Sequence, residues 1–245
     1  VLGVNGINVA HELGHRKEKG HHVLALALLL PSFYNHFFIE HNHGHHRWVS
    51  TDRDPASARF NEPLYLFWFR SMVGTWLSAW RIEAQLLQKR GKSSFSLHNR
   101  MLHYVALQLG YVLLLYLAFG PVPAAALVFA GLVGILMLET VNYIEHYGLR
   151  RKETSPGRYE PVQPWHSWNS DHALGRFVLF ELPRHSDHHY RASRKYQTLR
   201  HREDAPGLPL GYPGSMLLAM LPPLWFRLMN PRVKALELEH QQLQG

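Results

Sequence analysis

The sequence predicts an all-α integral membrane protein with a cytoplasmic helical cap that carries clustered histidines. Three observations predict it. From Met101 to Leu138 there is no Asp, Glu, Lys or Arg, and the run is broken only by Gly120-Pro121-Val122-Pro123. A helix crosses the hydrocarbon core with about 20 residues, so this stretch fits two spans joined by a tight turn. Basic residues flank it on both sides: Arg81, Lys89, Arg90, Lys92 and Arg100 before, Arg150, Arg151 and Lys152 after. Both ends of a two-span hairpin lie on one face of the membrane, and excess Lys and Arg mark that face as cytoplasmic. Finally, most of the 19 histidines fall into clusters beside apolar stretches. The expectation is a single domain over residues 1–245 with a transmembrane hairpin at about 101–145.

Composition agrees with this reading. The chain has 245 residues, 46% of them hydrophobic, enough for one sizeable core. Its mean hydropathy of −0.21 looks soluble only because histidines and 26 Lys+Arg dilute the apolar runs. With no cysteine, thiolate metal sites, iron–sulfur ligation and disulfides are excluded, so any metal takes imidazole or oxygen ligands. The formal net charge of +8 has no long basic run and no nucleic-acid motif behind it. It is read instead as cytoplasmic loops and a docking face for an acidic protein.

In chain order, the first ten residues are uncharged and lead straight into His11. They lack a basic n-region and are read as the tail of a membrane helix, with further N-terminal membrane helices expected before it. The stretches His22–Ile39 (broken by Pro31), Pro63–Trp80 (containing Arg70) and Met216–Met229 (containing Pro222-Pro223) are short or interrupted, and are expected to be interfacial or re-entrant. Residues 150–164 and 202–214 read as loops, and 233–244 as a polar peripheral helix.

The first histidine cluster is His11-Glu12-Leu13-Gly14-His15. On a helix, residues four apart share a face, so His11 and His15 can grip one metal. The same five residues match the zinc-protease signature with Glu12 as general base. The second cluster is Glu40-His41-Asn42-His43-Gly44-His45-His46, where His41 and His45 are four apart and His46 extends the set to a neighbouring face. His146 lies just past the uncharged run, in Asn142-Tyr143-Ile144-Glu145-His146-Tyr147-Gly148. The last cluster, His185-Ser186-Asp187-His188-His189, again has offsets of three and four. His11, His15, His41, His45, His46, His146, His185, His188 and His189 make nine ligands, too many for one metal, so two are expected. Imidazole suits zinc, copper, iron and nickel alike, and the residues do not choose among them. Glu12, Glu40, Glu139, Glu145 and Asp187 stand beside these histidines as carboxylates that could orient them through the other ring nitrogen.

The order HELGH, EHNHGHH, NYIEHYGL, LPRHSDHH resembles the membrane-bound alkane 1-monooxygenases, non-haem di-iron enzymes within the wider membrane fatty-acid desaturase and hydroxylase superfamily. The run Trp165-His166-Ser167-Trp168-Asn169-Ser170-Asp171-His172 resembles the alkane branch in particular. The resemblance covers roughly residues 1–200. It departs at Pro183, where Gln is expected, and in length, since family members have additional N-terminal helices. It implies that the nine histidines bind two Fe ions and act through that di-iron centre, and that His43 and His172 are not ligands. It implies O2 as co-substrate, the terminal methyl of medium-chain n-alkanes drawn from the membrane as substrate, and primary alcohols as product. The chain carries no nucleotide fingerprint or flavin motif, so the resemblance also implies rubredoxin (separate or fused) and its flavin-dependent reductase as electron source. Arg150, Arg151, Lys152, Arg191, Arg194 and Lys195 are its candidate docking patch. The implied location is the bacterial inner membrane, multi-pass, with the metals on the cytoplasmic side. A fatty-acyl desaturase or hydroxylase of the same superfamily, or an intramembrane zinc protease using the first cluster, are the alternatives.

Overall fold

A computed structural model describes residues 5–242, almost all of whose regular structure is helical. Residues 1–4 of the expected membrane-helix tail and residues 243–244 of the expected terminal helix lie outside the described residues. The helices are α1 (Ile7–Gly14), α2 (Lys19–Leu29), α3 (Phe37–Glu40), α4 (His46–Trp48), α5 (Leu64–Gln88), α6 (Arg100–Phe119), α7 (Pro121–His146), α8 (Ala173–Val178), α9 (His185–Tyr190), α10 (Gly211–Ala219) and α11 (Pro222–Gln242). The chain divides into two compact units, residues 1–47 with 72–138, and residues 48–71 with 139–245.

The expected hairpin is α6 and α7. Asn99 caps α6 by accepting the Met101 amide at 2.8 Å, satisfying one of the donors that a helix start leaves open. The turn is tighter than the four residues Gly120–Pro123 expected for it. Gly120 alone, at φ 82°, separates the helices, and Pro121 opens α7. Proline's fixed φ suits the first helical turn, whose amides have no partner in any case. Both helices are long and apolar enough to cross a membrane, and only 11% and 22% of their most apolar windows are buried. Leu109, Leu113, Leu117 and Phe129 are exposed. So much open apolar surface is what a lipid-facing helix presents. At 1.5 Å per residue, the 26 residues of α7 reach about 39 Å, longer than a hydrocarbon core of about 30 Å.

In the first unit the break expected at Pro31 is present, α2 having ended at Leu29. Leu30–Ser32 form a 3-10 turn, and Phe33 takes a left-handed conformation (φ 53°). Gly131 of α7 lies against this turn: a Cβ there would sit 2.6 Å from the Pro31 carbonyl oxygen. Ile7, Ala10, Ala25, Leu29, Tyr34, Phe37 and Ile135 form one core cluster, and Ile39, Ala79, Met101 and Tyr104 another. At the start of α6, Arg100 donates to the buried Glu83 carboxylate of α5 (Nη2 to Oε2 2.6 Å). One of the flanking positive charges is therefore spent inside the unit.

His36 is buried against Tyr34, and its Nε2 has no hydrogen-bond partner. Burial pushes its pKa down from 6.5 to about 3. The unfolded chain thus binds a proton that the folded one refuses, so stability present above pH 6.5 is lost as pH falls toward 3. At pH 5.5 this costs about 1.4 kcal/mol. We expect His36→Phe to lose that much less than wild type on acidification from pH 7.5 to 5.5, as read by thermal unfolding in detergent.

The stretch expected to be interrupted at Pro63–Trp80 is instead the first two thirds of an unbroken helix, α5. It contains no internal proline. Its one troublesome charge in the second unit, Arg70, donates to Glu62 (Nε to Oε1 2.6 Å) and to the carbonyls of Pro55 and Ser57. A neutralised guanidinium no longer argues against burial along an apolar helix.

The second unit is centred on aromatic residues. Tyr143 packs on Phe67 and Trp225, and Tyr147 on Trp225. Their hydroxyls are used: Tyr143 donates to the Glu62 carbonyl at 2.7 Å and Tyr147 to Asn230 at 2.7 Å. The expected loop at 150–164 contains a short antiparallel hairpin, β1 (Glu153–Ser155) with β2 (Arg158–Tyr159). The expected break at Pro222 separates α10 from α11, and α11 then runs unbroken through Pro231 into the polar tail.

Candidate metal centre

In the first unit four histidines converge. His11 lies on α1 and His15 caps it, and their Nε2 atoms are 3.1 Å apart, as the four-residue spacing predicts. His46 Nε2 lies 3.3 Å from that of His15 and 3.0 Å from that of His41. Candidate ligand atoms of all four lie within 4.8 Å of one another.

The second cluster departs from its expected register. His41–His45 is a π turn, in which the His46 amide reaches back to the His41 carbonyl, five residues away. The wider turn brings residues five apart onto one face, so His41 is joined by His46 rather than by His45. His45 is buried and stacks on His41 (centroids 5.2 Å, 28°), outside this nitrogen group. Gly44 permits the turn beside Glu40. A Cβ at 44 would stand 2.4 Å from Glu40 Oε1 and 3.0 Å from Ile82 Cδ1, and Glu40 is itself buried. Overpacking of this kind costs about 1–3 kcal/mol. Gly44→Ala is therefore expected to lower the melting temperature and to deplete the first site of metal while sparing the second, as measured by metal per chain.

In the second unit His146, at the end of α7, meets two histidines of α9. His146 Nε2 is 3.2 Å from His185 Nε2, which is 2.9 Å from His189 Nε2. All three rings are buried. His188 is also buried and stacks on His185 (5.7 Å, 30°), outside this nitrogen group. His146 Nδ1 faces the His166 carbonyl at 3.4 Å, which turns Nε2 toward the other rings. His43 and His172 are exposed.

These separations fit a metal. With metal–nitrogen bonds of about 2.1 Å, neighbouring ligands of an octahedral or tetrahedral ion stand about 3.0–3.4 Å apart. Hydrogen bonds can pair imidazole nitrogens two at a time, whereas three or four converging together are satisfied at once by a cation. Protonation is opposed at His15 and His41 of the first group. Burial, then the charge of His45, brings His15 from 6.5 to about 4. Burial and the neighbouring imidazoles hold His41 well below its ordinary value. Neutral imidazole is the form that binds metal.

The five acids separate. Glu12 pairs with Arg16 one turn on, at the partly exposed edge of the unit. Glu40, Glu139, Glu145 and Asp187 are buried. Ser78 donates to Glu40 at 3.4 Å, and Ser71 donates to Glu139. Asp187 takes Arg194 Nη1 at 2.6 Å and the Arg200 amide at 3.0 Å. Glu145 accepts the Tyr212 hydroxyl at 2.7 Å. Of the candidate docking residues, Lys152, Arg191 and Lys195 are exposed, while Arg194 is held by Asp187 and Arg151 donates to the Glu160 carbonyl at 2.8 Å. The contacts of Tyr212 with Glu145 and of the His166 carbonyl with His146 are ones that residue spacing does not signal.

The family model described as fatty acid desaturase matches residues 1–214. Alkane 1-monooxygenase of Ectopseudomonas oleovorans is 46% identical over 233 residues, covering 94% of this chain and 58% of that protein. That of Acinetobacter baylyi is 42% identical over 232 residues, covering 94% and 57%. The hydroxylase component of xylene/toluene monooxygenase of Pseudomonas putida is 31% identical over 237 residues, covering 95% and 62%. The chain thus spans 57–62% of the length of these curated relatives. The family and the histidine groups together point to a non-haem iron site. With its histidine groups inside the matched region, the chain belongs to the fatty acid desaturase family.

Proposed function

We propose that this chain carries the metal centre of a di-iron monooxygenase that hydroxylates the terminal methyl of medium-chain n-alkanes to primary alcohols, with O2 as co-substrate. The observation that carries the reading is the pair of histidine groups, one per unit, each with nitrogens at the spacing of ligands around one metal. In this reading His11, His15, His41 and His46 hold one iron and His146, His185 and His189 the other, with His45 and His188 completing the nine. The iron supplies O2 activation. The protein orients the imidazoles, and an alkane, having no polar handle, is selected by position in an apolar passage.

The electrons come from outside the chain, from rubredoxin and its flavin-dependent reductase. Exposed Lys152, Arg191 and Lys195 support docking of an acidic carrier. The basic residues around the hairpin support a cytoplasmic site in the bacterial inner membrane. Glu12, engaged with Arg16, is a poor general base, which disfavours the zinc-protease reading. The 46% relative named for alkanes, against 31% for the one named for xylene and toluene, favours alkanes over aromatic methyl groups. The test is metal content and turnover of the purified protein. Two irons per chain and conversion of octane to 1-octanol with reduced rubredoxin are expected; one zinc per chain, or no octane turnover, overturns the proposal.

A further inference from the structure

Glu145 is 1% exposed and precedes His146 on α7. Its backbone is held, since its carbonyl accepts the Trp168 amide at 2.8 Å. Its Oε2 lies 3.1 Å from His185 Nε2. That is the same nitrogen that faces His146 Nε2 at 3.2 Å and His189 Nε2 at 2.9 Å. A carboxylate that merely orients a ligating imidazole meets the ring's other nitrogen, Nδ1, because Nε2 is spent on the metal. Glu145 meets Nε2 instead. With bonds of about 2.1 Å, an oxygen about 3 Å from a ligating nitrogen is at the spacing of a neighbouring donor in the same coordination shell.

Charge argues the same way. Neutral imidazoles leave a divalent ion uncompensated, and a buried carboxylate needs a cation of its own. The partner of the second oxygen is a phenol, neutral and buried, the Tyr212 hydroxyl at 2.7 Å from Oε1. That hydrogen bond fixes the carboxylate's rotation and turns Oε2 toward the imidazole nitrogens.

We propose that Glu145 is an oxygen ligand of the metal held by His146, His185 and His189, and that Tyr212 is the positioning residue that aims it. The inference rests on the metal reading above and is independent of the substrate. It is tested on the purified, metal-loaded protein by the rate of metal release to a chelator and by Mössbauer spectra. Loss of an outer-shell partner weakens a site by about 10–100-fold. Glu145→Gln, which keeps the shape and removes the charge, is expected to release one metal more than 100-fold faster. Tyr212→Phe is expected to stay within the outer-partner range and to shift the quadrupole doublet of one iron. Release from Glu145→Gln accelerated less than 100-fold overturns the proposal. If that variant does not accumulate as folded protein, Tyr212→Phe decides alone: one shifted doublet supports the assignment, and two unmoved doublets overturn it. Metal analysis of the wild type comes first. Zinc in the site overturns the iron reading, and the same variants are then judged by zinc release, with the 100-fold threshold on Glu145→Gln and release from Tyr212→Phe more than 10-fold faster as support if Gln fails to fold.

Discussion

Replacing His146 with alanine is expected to empty the second metal site and abolish octane hydroxylation. The side chain is completely buried at the end of α7 and supplies the nitrogen that α9 cannot. Without it the described group retains His185 and His189, four residues apart on one short helix. Two imidazoles with the Glu145 carboxylate hold a divalent ion more weakly than three imidazoles with it. The loss should exceed the roughly 10–100-fold that removal of an outer partner costs. Metal analysis should show one site filled and one empty, with octanol formation below detection. His43→Ala and His172→Ala, at exposed positions, should retain both metals and full activity. A His146→Ala protein that keeps both irons sinks the assignment of this residue as a ligand.

The second large effect is expected at Asp187. It sits among the histidines of α9, is fully buried, and takes both Arg194 and the Arg200 amide. The segment that follows the helix is thereby tied back onto it. Asp187→Ala strands the Arg194 guanidinium, which is only partly exposed. Breaking a buried pair by removing one partner costs about 3–5 kcal/mol. We expect a fall in melting temperature and faster proteolysis within 191–200, with metal lost from the second site while the first is retained. The double variant Asp187→Ala/Arg194→Ala should recover part of the stability, because it no longer leaves a charge unpaired. No recovery would mean that the amide contact of Arg200, rather than the ion pair, holds the segment.

Several parts of this molecule are legible from residues alone. The absence of charge from 101 to 138 dictates two long apolar helices, because so much nonpolar surface has few other accommodations. Gly120 and the prolines mark the turn through backbone sterics that operate locally. His11 with His15, and His185 with His189, are neighbours because the α-helix repeats every 3.6 residues. The same rule misleads at His41. There a π turn, accommodated by Gly44 against Glu40, replaces the α register and exchanges His45 for His46. The charge of Arg70 likewise hides an unbroken α5, since its neutralising Glu62 lies eight residues away and outside the helix.

What the sequence by itself determined is therefore the helical class, the hairpin, and the supply of imidazoles in four clusters. All of these follow from local periodicity and from the cost of placing charge in hydrocarbon. Only the tertiary structure decided which nitrogens converge, that His146 of α7 joins His185 and His189 of α9, and that Glu145 faces Nε2 with Tyr212 behind it. The physical reason is distance along the chain. His146 and His185 are 39 residues apart and Glu145 and Tyr212 are 67 apart, and no periodic rule relates residues so separated. The segment at Trp168 and Asn169 joins α9 to the end of α7, donating to the carbonyls of Glu145 and Tyr147 and to the Ser186 hydroxyl.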